Sequence, residues 1–77
     1  MPREQVTEIV AEMVANVMSV TVAPGDRVAP GDTVVLLESM KMEIPVLVEV
    51  TGAVRAVKVA AGDVVQEGDV LVELLVD

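Results

Sequence analysis

The chain contains one segment twice. Residues 15–38, ANVMSVTVAPGDRVAPGDTVVLLE, and residues 52–75, GAVRAVKVAAGDVVQEGDVLVELL, align without a gap at an offset of 37. Eleven of the 24 positions are identical, and they include two Gly-Asp pairs: Gly25-Asp26 with Gly62-Asp63, and Gly31-Asp32 with Gly68-Asp69. Valine fills 20 of the 77 positions, so a few matches would arise by chance. Two Gly-Asp pairs at one spacing would not. Two copies of one short motif cannot each hold a core. Each must cover the apolar face of the other.

The spacing inside each copy sets the fold class. Valine-rich runs are broken every six to ten residues by Gly-Asp, and Pro24 and Pro30 reinforce the turns of the first copy. Gly tolerates positive φ, and Asp can bond its own backbone, so each pair makes a turn. The runs between them are too short for helices. An all-β chain is expected, with no helix. It should be a flattened barrel or sandwich with pseudo-twofold symmetry, in one domain over residues 1–77. Alternation is interrupted once in each copy, since Val17 and Val20 differ in parity, as do Val54 and Val57. A β-bulge near Met18-Ser19 and another near Arg55-Ala56 would return Val17 and Val54 to the core.

Composition then removes whole classes of function. The chain has no His, so it offers no imidazole base, no Ser-His nucleophile and no His metal ligand. It has no Cys, hence no disulfide and no zinc-thiolate site. Thirteen acidic residues against five basic give a net charge of −8, and there are no aromatics. Neither nucleic acid nor an anionic membrane suits such a chain. No run approaches the roughly 18 apolar residues of a membrane span. The start, MPREQVTEIV, lacks the apolar stretch of a signal peptide. A cytoplasmic protein is expected.

Between the copies lies SMKMEIPVLVEVT, residues 39–51. Strands lead in through Val34–Leu37 and out through Ile44, Val46, Val48 and Val50, so Ser39-Met40-Lys41-Met42 should be a hairpin turn. Two-residue hairpin loops favour Asn-Gly, Asp-Gly or Gly-X because they demand positive φ. Met-Lys breaks that rule, and such a break marks a place to look for function. The offset of 37 maps Lys41 onto positions 4 and 78. The hairpin tip should therefore be exposed at one end, with the termini meeting at the other. Lys58, the other lysine, reads as a mid-strand, outward-facing, solvated residue.

Glu38-Ser39-Met40-Lys41-Met42-Glu43 resembles the attachment motif of biotinyl domains, whose core is Met-Lys-Met. The G-D-x-V-x-x-G-D pattern before and after it is similar to that of the biotinyl/lipoyl family, and the likeness spans about residues 8–76. Ser39 stands where many biotinyl domains have Ala, a small-for-small change. The resemblance implies two four-stranded antiparallel sheets. It implies that a biotin protein ligase joins biotin covalently to Lys41, within a recognition motif of Glu38, Ser39, Met40, Met42 and Glu43. The partners would be biotin carboxylase and carboxyltransferase subunits, with an acyl-CoA or pyruvate as the usual carboxyl acceptor. The domain would be a swinging arm without catalytic residues or metal. Two alternatives share the fold. A lipoyl carrier typically has Asp-Lys-Ala where this chain has Met-Lys-Met. An unmodified interaction module usually lacks the hairpin lysine.

Overall fold

The computed structural model describes residues 5–77. Eight strands follow in order: β1 (Gln5–Val10), β2 (Ala15–Val20), β3 (Arg27–Val28), β4 (Thr33–Ser39), β5 (Met42–Leu47), β6 (Gly52–Val57), β7 (Val64–Val65) and β8 (Val70–Val76). They form two four-stranded antiparallel sheets, β1-β8-β6-β3 and β5-β4-β2-β7, and no described residue is helical. The expected all-β fold and its two sheets are what the chain adopts.

The turns show why Gly is followed by Asp. Gly25, Gly31, Gly62 and Gly68 all have φ between 92° and 96°, which a side chain would strain. At each turn the Asp amide donates to the carbonyl three residues back, as in Asp26 to Ala23 at 3.0 Å. Its carboxylate accepts from the amide of that same residue: Ala23 to Asp26, Ala29 to Asp32, Ala60 to Asp63 and Gln66 to Asp69, all at 2.8–2.9 Å. Four copies of one turn thus fix four of the six crossings between sheets, those on either side of β3 and β7.

The register carries the expected bulges. Pairing of β2 with β4 slips between Val17 and Ser19, and pairing of β6 with β8 slips between Val54 and Ala56. Val17 and Val54 are buried as a result. A second pair of bulges was not legible from alternation. Pairing of β4 with β5 slips between Thr33 and Val35, and pairing of β1 with β8 slips opposite Leu71. These let the neighbours Val34 and Val35, and likewise Leu71 and Val72, all face inward with no exposure.

The core obeys the repeat. Thirteen described apolar residues are buried, and twelve form six pairs at the offset of 37, such as Val17/Val54, Val28/Val65 and Leu37/Leu74. The symmetry also reaches beyond the aligned copies. β1 falls on β5 at the same offset although no residue of the two strands is identical. Where Ala11 exchanges 2.8 Å backbone bonds with Gly68 and Asp69, Val48 does so with Gly31 and Asp32. Replacing Leu74, which has no exposed surface, by Ala is expected to cost about 2–5 kcal/mol, read by thermal unfolding in far-UV circular dichroism.

At one end Gln5 pairs with Val76, so β1 begins where β8 finishes. Position 4, one symmetry mate of Lys41, lies outside the described residues. Nearby, the Arg27 guanidinium hydrogen-bonds Asp77 and holds its carboxyl below the usual carboxylate range. The stabilisation this gives is fully present above the ordinary carboxylate range and is lost as pH falls from that range through the lowered value. Both groups are exposed, so the pair contributes little.

Candidate functional site

The β4–β5 ladder runs without interruption from Leu36↔Pro45 through Leu37↔Ile44 and Glu38↔Glu43 to Ser39↔Met42. Met40 and Lys41 are left as a two-residue loop. Met40 has φ 52° and Lys41 φ 64°, and they are the two described non-glycine residues with positive φ. This is the twist a two-residue hairpin demands, reached without the residues that reach it easily. Each costs about 1–2 kcal/mol against a right-handed or extended backbone. The neighbouring ladder enforces it: Leu37 is buried, and Ile44 packs against the core.

A stability prediction follows from that strain. Met40→Asn keeps the loop length and puts a residue tolerant of the left-handed region at the first loop position. We expect a gain of about 0.5–1 kcal/mol, raising the melting temperature by roughly 2–8 °C. Far-UV circular dichroism reads it, since the chain has no Trp or Tyr.

All six residues of the sequence motif are brought together. Ser39, Met40, Lys41 and Met42 make the tip, and Glu38 faces Glu43 one rung inward. Lys41 is exposed, Met40 is 91% exposed and Met42 65%. Neither methionine fills the core. Among the described residues Lys41 enters no hydrogen bond or ion pair, whereas the other described cations do: Arg27 with Asp77, and Arg55 and Lys58 each 3.8 Å from Glu73. Lys58 is exposed as expected, but it lies just past the end of β6 and is not mid-strand; its amide donates to Leu71 at 2.9 Å. A groove of about 370 Å³ between the edge strands β1 and β5 contains none of the tip residues. The site is a projection, not a cleft.

A projecting primary amine with no described partner can be acylated by an enzyme that reaches it. Among the described residues no base is bonded to that amine, and proton removal falls to the acylating enzyme or to water.

Two further residues of the neighbourhood escaped the sequence reading. Val64 of β7 pairs with Asn16, and Asn16 pairs with Glu38. Val64, Asn16, Glu38 and Glu43 therefore form one row across the four strands of this sheet. The offset makes Val64 the mate of Arg27 but does not place it beside the hairpin; only the pairings do.

Comparison with known proteins agrees with this geometry. The family model for biotin/lipoyl domains, described as "Biotin-requiring enzyme", matches residues 5–74. The "Biotinylated protein TB7.3 homolog" of Mycolicibacterium smegmatis is 62% identical over 40 residues, which are 52% of this chain and 56% of that protein. The chain thus spans about half the length of the curated relatives it matches. Among solved structures, a single-chain, multi-domain long-chain acyl-CoA carboxylase superimposes with a TM-score of 0.88 at 26% identity, over 94% of this chain and 7% of the carboxylase. The lipoyl domain of the 2-oxoglutarate dehydrogenase complex of Azotobacter vinelandii gives 0.69 at 28% identity, over 79% of this chain and 77% of that domain. With nearly the whole chain matched, and with the two-sheet fold and hairpin lysine already in place, the chain belongs to the biotin/lipoyl domain family.

Proposed function

We propose that Lys41 is biotinylated by a biotin protein ligase and that the domain then serves, in the cytoplasm, as the carboxyl carrier of a biotin-dependent carboxylase. One observation carries this reading: a projecting amine with no partner among the described residues, held between two exposed methionines on a strained hairpin. In the acylation step the Nζ of Lys41 attacks the activated carboxyl carbon of biotin. The C–N bond of an amide forms, the activating group leaves with its electron pair, and a proton passes from Nζ to the ligase. Biotin, when attached, supplies a site that accepts a carboxyl group from a biotin carboxylase and gives it up to a carboxyltransferase. The chain's own share is mechanical. The two paired sheets keep the hairpin rigid, and the tip presents the arm clear of the barrel. Tethering then raises the effective concentration of the carried group at each site.

Met40 and Met42 favour biotin over lipoate. Their thioethers are adaptable apolar contacts that a charged residue at the same place could not make. The similarity to a protein named as biotinylated and to an acyl-CoA carboxylase supports the same reading.

The test is intact-mass measurement after incubation with a purified biotin protein ligase, biotin and ATP. A single biotin-sized increment is expected. A chain that takes no biotin but gains a lipoyl increment from a lipoate ligase would overturn the reading in favour of a lipoyl carrier. Glu38→Gln with Glu43→Gln should slow biotinylation about two- to fivefold at low salt and less at high salt, as expected for charges that steer encounter. Equal rates at both salt concentrations would exclude that role.

A further inference from the structure

The pseudo-twofold axis makes each sheet an internal control for the other. At equivalent positions the fold is the same, so chemistry that differs between the two outer faces answers something other than folding. On the face of β1-β8-β6-β3 each described cation is neutralised within the chain: Arg27 by Asp77, and Arg55 and Lys58 by Glu73. On the face of β5-β4-β2-β7 the mates of these residues carry no ion pair. Val64 and Met40 stand for Arg27 and Asp77. Met18 stands for Arg55, Leu36 for Glu73, and Pro45 for Glu8.

Pairing registers make these residues two adjacent rows. The row nearer the tip is Val64–Asn16–Glu38–Glu43, and Val64 is 63% exposed. The next row is Met18 at the bulge, then Leu36 beside Pro45. Glu38 and Glu43 oppose each other directly, and among the described residues no cation pairs with either, an arrangement that destabilises a sheet on its own. An apolar strip behind an uncompensated carboxylate pair, adjoining Lys41, is what a partner would use. A partner with a cationic rim and an apolar centre would relieve the first and cover the second.

We propose that the outer face of β5-β4-β2-β7 is the surface on which the enzyme that acylates Lys41 docks. Its contact runs from the hairpin across the sheet to Val64. This rests on the reading that Lys41 is biotinylated. The occupant is that ligase because its active site must enclose the Lys41 amine, and this face continues directly from the tip. A second copy of the chain is a poor occupant, since each copy carries a net charge of −8.

The symmetry also supplies the test. Met18→Arg, Leu36→Glu and Val64→Arg together import the residues that the fold already holds at the equivalent positions. The reverse set, Arg27→Val, Arg55→Met and Glu73→Leu, alters the opposite face. With purified ligase, the first triple variant should lose about tenfold or more in kcat/KM for biotinylation, and the second should stay within about twofold. Val64→Arg alone, on an exposed two-residue strand, should lose about threefold and serves if the triple variant does not fold. Wild-type kinetics in the first set, or an equal loss in both, would overturn the proposal. A wild-type chain that gains no biotin would instead remove the functional reading on which it stands.

Discussion

Lys41→Arg is expected to abolish biotin incorporation completely, while leaving the melting temperature within a few degrees of wild type. Arg keeps the charge and much of the stem, but its guanidinium stays protonated and is no acyl acceptor under these conditions. The fold does not depend on the side chain, which meets no described partner. The decisive comparison is with Lys58, the other lysine. Its amine lies 3.8 Å from a Glu73 carboxylate, beside a paired sheet and away from any hairpin tip. An acylating enzyme would have to break that pair and approach a flat face. Intact mass after exhaustive ligation should therefore show no increment in Lys41→Arg and one increment in Lys58→Arg. An increment that survives in Lys41→Arg would move the acceptor elsewhere and sink the site assignment.

How far the sequence discloses this arrangement depends on how strongly each feature marks the local pattern. The four Gly-Asp turns are legible because each needs a positive-φ residue followed by an acceptor, and few dipeptides satisfy both. The bulges near Met18 and Arg55 are legible because they break an alternation that burial enforces on either side. The bulges at Val34 and Leu71 are not, because they fall inside the all-apolar runs Val34–Leu37 and Val70–Val72, where a slip changes no pattern. β1 is hidden for a different reason. It is an edge strand with mostly exposed residues, so packing places few demands on its sequence, and it shares no residue with β5, its structural mate. At the site, the hairpin and the Met-Lys-Met tip are read directly, whereas Val64 is not. It reaches the neighbourhood of Lys41 through two successive strand pairings, and proximity across a sheet leaves no mark in the local sequence.

Gly52→Ala is expected to be among the most damaging single substitutions in the scaffold, costing about 2–4 kcal/mol. A Cβ at Gly52 would sit 2.2 Å from the Leu75 carbonyl oxygen and 3.0 Å from its carbon. The obstacle is backbone, and backbone of a strand that cannot yield. β8 is bonded to β1 on one side and to β6 on the other. Gly52 itself pairs with both Val28 and Val76, so β6 cannot yield either. The symmetry mate of Gly52 is Ala15, which carries a Cβ without difficulty. The difference lies in the facing strand. β8 remains paired at Val76, whereas the ladder of β2 with β4 stops at Asn16↔Glu38, one residue short of Ala15. There Ser39 leaves the β2 ladder and pairs with Met42, where the hairpin turns. For a domain of this size the total stability is of order 4–12 kcal/mol, and the loss should lower the melting temperature by roughly 10–25 °C. Ala15→Gly, the reciprocal change, should cost about 1 kcal/mol or less, because it removes only a methyl and adds chain entropy. Urea unfolding followed by circular dichroism measures both. Equal costs for the two substitutions would show that the halves are alike here, and that the close approach of Leu75 to Gly52 does not set the constraint.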